Sequence, residues 1–287
     1  MSILSPHDPL ANQFPMMPPS PFSPFEIIDG DRSKGLVLVS DHAFNLVPEE
    51  YGNLGLPAHE FQRHIAYDIG VEAVTRKLAA LTGAPAVMAR FSRLLIDPNR
   101  GEDDPTLIRQ LYDGTVIRAN YPLAEEERQR RIERFYRPYH GAVAETIASV
   151  AEATGAAPLV ISVHSFTPFM QGRERPWHVG ILWDRDPRAA KPLMASLEKI
   201  SWLVVGDNEP YDGALRGDTM YQHCTLKGYA HALIEIRQDL IVAEAGAIEW
   251  AERLTPILED INRLPDIHRV EMHGSRTGPI SNGDQND

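Results

Sequence analysis

An α/β fold, with a mostly parallel sheet and helices on both faces, is what the sequence predicts, and three observations lead there. Short β-rich apolar runs recur along the chain, stretches with apolar residues at helical spacing separate several of them, and a hydrophobic content of 43% is enough to bury a core. Strands that alternate with helices pair in parallel across right-handed crossovers, which puts helices over both sheet faces. A length of 287 residues fits one large domain or two small ones.

Taken in order, residues 1–25 hold seven prolines and no periodic apolar pattern, so they are expected as an extended or poorly ordered arm. A single domain is expected over 26–273. It opens with the strand Leu36-Val37-Leu38-Val39. From Pro57 to Leu81 the residues Ile65, Ile69, Ala73, Val74 and Leu78 recur at helical spacing, with Gly83 as a stop. Ala86–Ala89 and Leu94–Ile96 read as strands, and 123–150 as a long charged helix whose basic block Arg128–Arg137 is a solvated face. Strands follow at Leu159–Val163 and Val179–Trp183, then a helix over Arg188–Lys199 leading into a strand at Leu203–Val205. Ala232–Ile236 is the final strand and 244–262 the final helix, with a polar, flexible tail over 274–287.

Composition narrows the function. Forty acidic against 28 basic residues give a net charge of −12, and no local Lys/Arg cluster offsets it, so no nucleic-acid partner is expected. A lone cysteine, Cys224, rules out an internal disulfide and cysteine-based metal sites, and reads as an inert buried thiol. No apolar run approaches the roughly 20 residues of a membrane helix, and no basic region precedes an apolar stretch at the N-terminus. Neither a membrane span nor a signal peptide is expected, and the expected location is the cytoplasm.

Active sites in such sheets gather at the carboxyl ends of strands. Four of those ends carry polar residues: Ser40-Asp41-His42, Asp97-Pro98-Asn99-Arg100, His164-Ser165, and Glu235 with Arg237. His42 and His164 at equivalent strand ends suit two neutral imidazoles on one metal ion, zinc or another divalent cation. For the third ligand, His64 and Asp68 stand four apart on one expected helix face, Asp68 doubles as a carboxylate that orients an imidazole, and Glu50 competes. Glu235 sits in Ala-Leu-Ile-Glu-Ile-Arg, either as a general base of raised pKa or paired with Arg237 on the same face. Asn99 and Arg100 can clamp a substrate carboxylate, unless Arg100 is taken by Glu102, Asp103 or Asp104. Arg93 and Asn208 are further polar candidates.

Six ordered segments carry a resemblance. They are Asp41-His42-Ala43 with Asn45 and Pro48, His64 to Gly70, Ser92-Arg93-Leu94 with Asp97 and Asn99-Arg100, His164 to Pro168, Gly206 to Tyr211, and Glu235 to Leu240. Over about residues 34–262 the chain resembles the N-formylglutamate amidohydrolase family. The resemblance implies a zinc-peptidase-like (phosphorylase/hydrolase-like) α/β fold and hydrolysis of N-formyl-L-glutamate to formate and glutamate, the last step of one histidine-degradation route. It implies His42 and His164 as zinc ligands, a third ligand near His64, Glu235 as the catalytic carboxylate, and Asn99 with Arg100 on a substrate carboxylate. Beyond the resemblance, Arg93 or Arg237 is expected to stabilise the developing oxyanion, and the expected partner is a small acidic N-acyl amino acid. Ser40 and Phe44 depart from the family pattern, and Phe44 is expected to narrow the pocket. A zinc amidase or carboxypeptidase acting on peptides or cell-wall fragments, and a non-catalytic binder of acidic ligands, are the alternatives.

Overall fold

A computed structural model describes residues 22–280. Its strands are β1 (Phe25–Ile28), β2 (Leu36–Ser40), β3 (Ala86–Ala89), β4 (Leu159–Phe166), β5 (Val179–Leu182), β6 (Val205–Asp207) and β7 (His231–Arg237). They form one sheet in the order β1-β3-β2-β4-β7-β5-β6. The central four, β3, β2, β4 and β7, run parallel. An antiparallel β1 closes one edge, and β5 with β6 runs the opposite way at the other. The helices are α1 (Val71–Thr82), α2 (Glu125–Arg131), α3 (Arg137–Thr154), α4 (Pro187–Leu197), α5 (Thr219–His223) and α6 (Glu244–Asn262).

Strand periodicity splits the core in two. Leu36 and Leu38 of β2 join Val74 and Leu78 of α1, Leu193 of α4 and Trp250 of α6 on one face. Val37 and Val39 join Phe135 and the α3 residues Tyr139 and Val143 on the other. The expected mostly parallel sheet with helices on both faces is therefore what the chain builds. Among the described residues, no helix is long and apolar enough to cross a membrane.

Several elements differ from the sequence expectation, each for a local reason. The helix expected from Pro57 begins only at Val71, after a 3-10 turn at Ala58–Gln62 and an irregular stretch. Gly70 supplies the break: its φ is +85°, and a Cβ there would stand 2.3 Å from the Ile241 carbonyl oxygen. Leu94-Leu95-Ile96 is fully buried but forms turns, not a strand. Its carbonyls are taken by side chains instead of a neighbouring strand, Leu94 by Asn120 Nδ2 (2.9 Å) and Leu95 by Arg131 Nη1 (3.0 Å). Arg131 is accordingly buried, so the basic block is not wholly a solvated face. The long helix is α2 and α3 joined by a π-helical turn at Ile132–Tyr136. Strand β1 was not expected; it begins within the proline-rich arm, of which residues 1–21 lie outside the described residues. Of the expected tail, Arg276 pairs with Asp212 (2.6 Å), and residues 281–287 lie outside the described residues.

Because Gly70 both takes a left-handed turn and touches backbone, Gly70→Ala is expected to cost about 1–3 kcal/mol in stability, measured by denaturant titration. A stability equal to that of the wild type would contradict the close approach.

Candidate active site and metal centre

The β2 strand delivers Asp41 and His42 just past its carboxyl end. In β4, alternation puts Leu159, Ile161 and Val163 into one core and leaves Val160, Ser162 and His164 on the α3 face. In β7 the same rule leaves Glu235 on that face, with Ile234 and Ile236 opposite, and Glu235 stands in register beside His164. The irregular stretch before α1 adds Asp68, whose N–H donates to the His42 carbonyl at 2.9 Å. Ligand atoms of His42, Asp68 and His164 all lie within 4.8 Å of one another, and the three residues are 2%, 4% and 2% exposed.

The imidazoles are oriented from behind. His42 Nε2 bonds Asp97 Oδ1 at 2.7 Å and His164 Nε2 bonds Asp41 Oδ2 at 3.1 Å. Asp41 also accepts from Tyr139 Oη (2.8 Å) and Thr219 Oγ1 (2.6 Å). Both Nδ1 atoms are thereby turned toward Asp68 Oδ2, at 3.4 Å from His42 and 2.8 Å from His164. Buried His42 Nδ1 has no hydrogen-bond partner among the described residues. A buried orphan nitrogen beside a carboxylate, with a second carboxylate fixing the far side of its ring, is a donor set that could hold a divalent metal ion. The residues present fit such an ion. Burial opposes charge on Asp41, yet the hydrogen bond and charge of His164 hold its pKa at about 2. Asp97 lies well below its usual range, burial being overcome mainly by Arg93 and His42. His164 is pushed well above its usual value, because its bonds to Asp41 and Asp68 outweigh burial.

His42, Asp68 and His164 line a cavity of about 470 Å³. Glu235 lines it, 6% exposed, with Oε2 lacking a hydrogen-bond partner among the described residues. Burial, reinforced by the charge of Asp68 and partly offset by His164, raises its pKa to about 8. Arg237 is not its partner. That guanidinium pairs with Asp239 (2.8 Å) and caps the carbonyls of Arg175, Pro176 and Trp177 outside the cavity. Asn208 also stays outside: with φ +54° it holds its loop by accepting from the Trp183 and Gly213 amides, both at 3.0 Å. Arg93 lines the cavity but is committed to Asp68 Oδ1 (3.3 Å) and Asp97 Oδ2 (3.0 Å).

Asn99 and Arg100 line the cavity as well. Arg100 bonds the Asn99 carbonyl (2.6 Å) and Thr106 Oγ1 (3.3 Å), and among the described residues none of the nearby acids claims it. Glu102 pairs with Arg137 at 2.9 Å. The geometry groups Asp68 with the two histidines, while His64 sits on the cavity wall 3.5 Å from Asp113 and Glu50 pairs with Arg134. Since no helix spans 64–68, their four-residue spacing does not put them on one face. Phe44 does not line the cavity either; it lies 6.0 Å from the Arg76 guanidinium, and Ser40 turns to Thr75 at 2.7 Å. Cys224 is buried, and burial pushes its thiol well above the usual value.

Supports that sequence reasoning missed come from α3 and α5. His140 Nε2 meets the Pro98 carbonyl at 2.9 Å and must carry the proton, so its Nδ1 accepts from His223 Nε2, also at 2.9 Å. Burial lowers both pKa values, that of His223 to about 3, and keeps the pair neutral behind the Asp97–Arg100 loop. Asp218 caps α5 through the Tyr221 amide (2.6 Å), and burial with the charge of Asp41 nearby raises its pKa to about 7. Only Tyr139-His140, two aromatic residues with polar tips near the start of a long helical segment, hinted at this in the sequence.

The sequence profile described as N-formylglutamate amidohydrolase matches residues 34–242. The chain belongs to that family. Among its relatives, an N-formylglutamate deformylase of Pseudomonas putida is 27% identical over 188 residues, which covers 60% of this chain and 69% of that one. A deformylase of the same description from Pseudomonas aeruginosa is 27% identical over 154 residues, 49% of this chain and 57% of its own length. The crystal structure of a gene product of Agrobacterium tumefaciens superposes with a TM-score of 0.77 at 34% identity, covering 84% of this chain and 95% of that one. An N-formylglutamate amidohydrolase from Ralstonia eutropha superposes with a TM-score of 0.59 at 25% identity, over 84% and 97%.

Two outcomes test the geometry of this amidohydrolase-family site. Asp68→Ala is expected to weaken zinc binding by at least about 100-fold in a chelator competition, with His64→Ala within a few-fold of wild type; the reverse order would restore His64 as the ligand. Asp218 binds its proton more tightly folded than unfolded, so its contribution to stability is present below pH 4 and lost as pH rises through about 7. The melting temperature of Asp218→Asn should therefore gain on wild type between pH 5 and pH 8 in chelated protein, and a pH-independent difference would contradict the assignment.

Proposed function

We propose that this chain hydrolyses the amide bond of an N-acyl amino acid, N-formyl-L-glutamate foremost, with one zinc ion held by His42, Asp68 and His164. The observation that carries the reading is Glu235: a buried carboxylate with an unpartnered oxygen, in register beside His164 and facing the same cavity as Asn99 and Arg100. The names of the Pseudomonas and Ralstonia relatives support the substrate. Zinc, when bound, would polarise the acyl carbonyl and acidify a water.

Glu235 accepts the proton of the attacking water and returns it to the departing amine. Burial holds that carboxyl above the usual carboxylate range, which strengthens its hold on a proton taken from the water. Arg100, beside Asn99, anchors a carboxylate of the amino-acid half, which fixes the amide relative to Glu235. Arg93 acts through Asp68 and Asp97, holding both carboxylates in place. The proposed hydrolytic domain spans residues 26–273, and with formate and L-glutamate as products the proposed role is the last step of one histidine-degradation route, with the cytoplasm as the proposed location.

Purified protein should release formate from N-formyl-L-glutamate, lose that activity to a chelator and regain it with zinc. Glu235→Gln is expected to keep wild-type metal content and lose kcat by about 10²–10⁴-fold. Normal turnover by that variant would remove Glu235 as the base.

A further inference from the structure

The reaction proposed above uses one arginine of the cavity, yet two line it without a carboxylate partner among the described residues. Arg109 lines the same cavity as Arg100, and none of the described acids forms an ion pair with it. Its buried Nε has no hydrogen-bond partner among the described residues. Burial, with Arg100 and Arg93 close by, holds its pKa below the usual arginine value, and Asp97 offsets this only in part. In a chain of net charge −12, two unpaired guanidiniums facing one cavity mark a place for anionic groups supplied from outside.

The surroundings pre-set Arg109. Its guanidinium lies 4.6 Å from the centre of the Tyr112 ring, which also faces Arg93 at 5.4 Å. Its carbonyl accepts from Asn120 Nδ2 at 2.7 Å. Tyr112 belongs to a short ribbon, Leu111–Tyr112 with Thr115–Val116, which Arg63 ties down through Asp113 Oδ2 (2.9 Å) and Thr115 Oγ1 (2.7 Å). Across the sheet the cavity is graded: Asn99 and Arg100 come from the loop after β3, His164 and Glu235 from β4 and β7, and Leu233 and Leu182 face each other on β7 and β5. Anionic groups belong at the arginine end, and the acyl group at the leucine end.

Resting on the amidohydrolase reading, we infer that Arg109 is a specificity-determining residue that binds the side-chain carboxylate of the substrate while Arg100 binds its α-carboxylate, so that the enzyme selects N-acyl amino acids with an acidic side chain. Two separate forks match two carboxylates a few bonds apart, and an amide in place of the second carboxylate leaves Arg109 desolvated and unpaired.

The test compares N-formyl-L-glutamate with N-formyl-L-glutamine, its neutral isostere, in wild type and Arg109→Met. Wild type should prefer the glutamate substrate in kcat/KM by at least roughly 100-fold, and the variant should lose at least about ten-fold of that preference. Arg100→Met should lower both substrates and keep the preference. An unchanged glutamate-to-glutamine ratio in Arg109→Met overturns the inference. Arg109→Gln replaces it if the methionine variant does not fold. Wild type inactive on both substrates would sink the reaction instead, and the second measurement then decides: glutarate, but not butyrate, should raise the melting temperature of metal-loaded wild type and not of Arg109→Met. Equal shifts in the two proteins would overturn the role of Arg109.

Discussion

Asp41, Asp68 and Asp97 lie buried close together, and three carboxylates in so small a volume are tolerable only because His42, His164 and Arg93 stand between them. Each acid touches at least one cationic or hydrogen-bonding neighbour from a different part of the chain. Asp41 draws in β4 through His164, α3 through Tyr139 and α5 through Thr219. Arg93 bridges the acid before α1 and the acid after β3. A network of this kind is strong when complete and costly when any member is missing, since the remaining charge stays buried without a counterpart. The site thus doubles as a clasp on the loops that would otherwise splay at the carboxyl edge of the sheet.

Much of this was legible in the sequence because strand alternation is a local property. A glutamate among apolar residues in Ala-Leu-Ile-Glu-Ile had to face away from Ile234 and Ile236, and it does. His42 and His164 followed from their places at the ends of apolar runs. What failed depended on residues far away. Arg237 shares a face with Glu235 by count, but Asp239 in the following turn offers a closer carboxylate. The His64–Asp68 spacing carries meaning only inside a helix, and the contact of Gly70 with Ile241, a chain segment far downstream, is what stops the helix from starting early. Leu94–Ile96 has the composition of a strand, and only distant Asn120 and Arg131 make a turn there affordable in hydrogen bonds.

The long helical segment is more than a cover for the sheet. At the π-helical turn the register of α2 passes into that of α3, and just beyond it Tyr139 and His140 face inward at successive positions. Tyr136 at the turn donates to the Arg100 carbonyl at 2.7 Å, and His140 to that of Pro98. One helix end therefore sets the backbone that presents Asn99 and Arg100. The neutral state of the His140–His223 pair keeps that support insensitive to pH through the physiological range.

The division of the strands into two faces gives the molecule an unusual exposure to single-residue insertions. Within β7, Glu235 and Leu233 belong to the cavity while their immediate neighbours belong to the packed interior against α4 and α6. Adding or removing one residue upstream in that strand would carry an isoleucine into the cavity and a carboxylate into oil, exchanging the chemical and the structural roles of the whole strand at once. Substitutions, in contrast, can alter one face while leaving the other untouched. The protein is free to drift in the composition of its strands, and nearly frozen in their length.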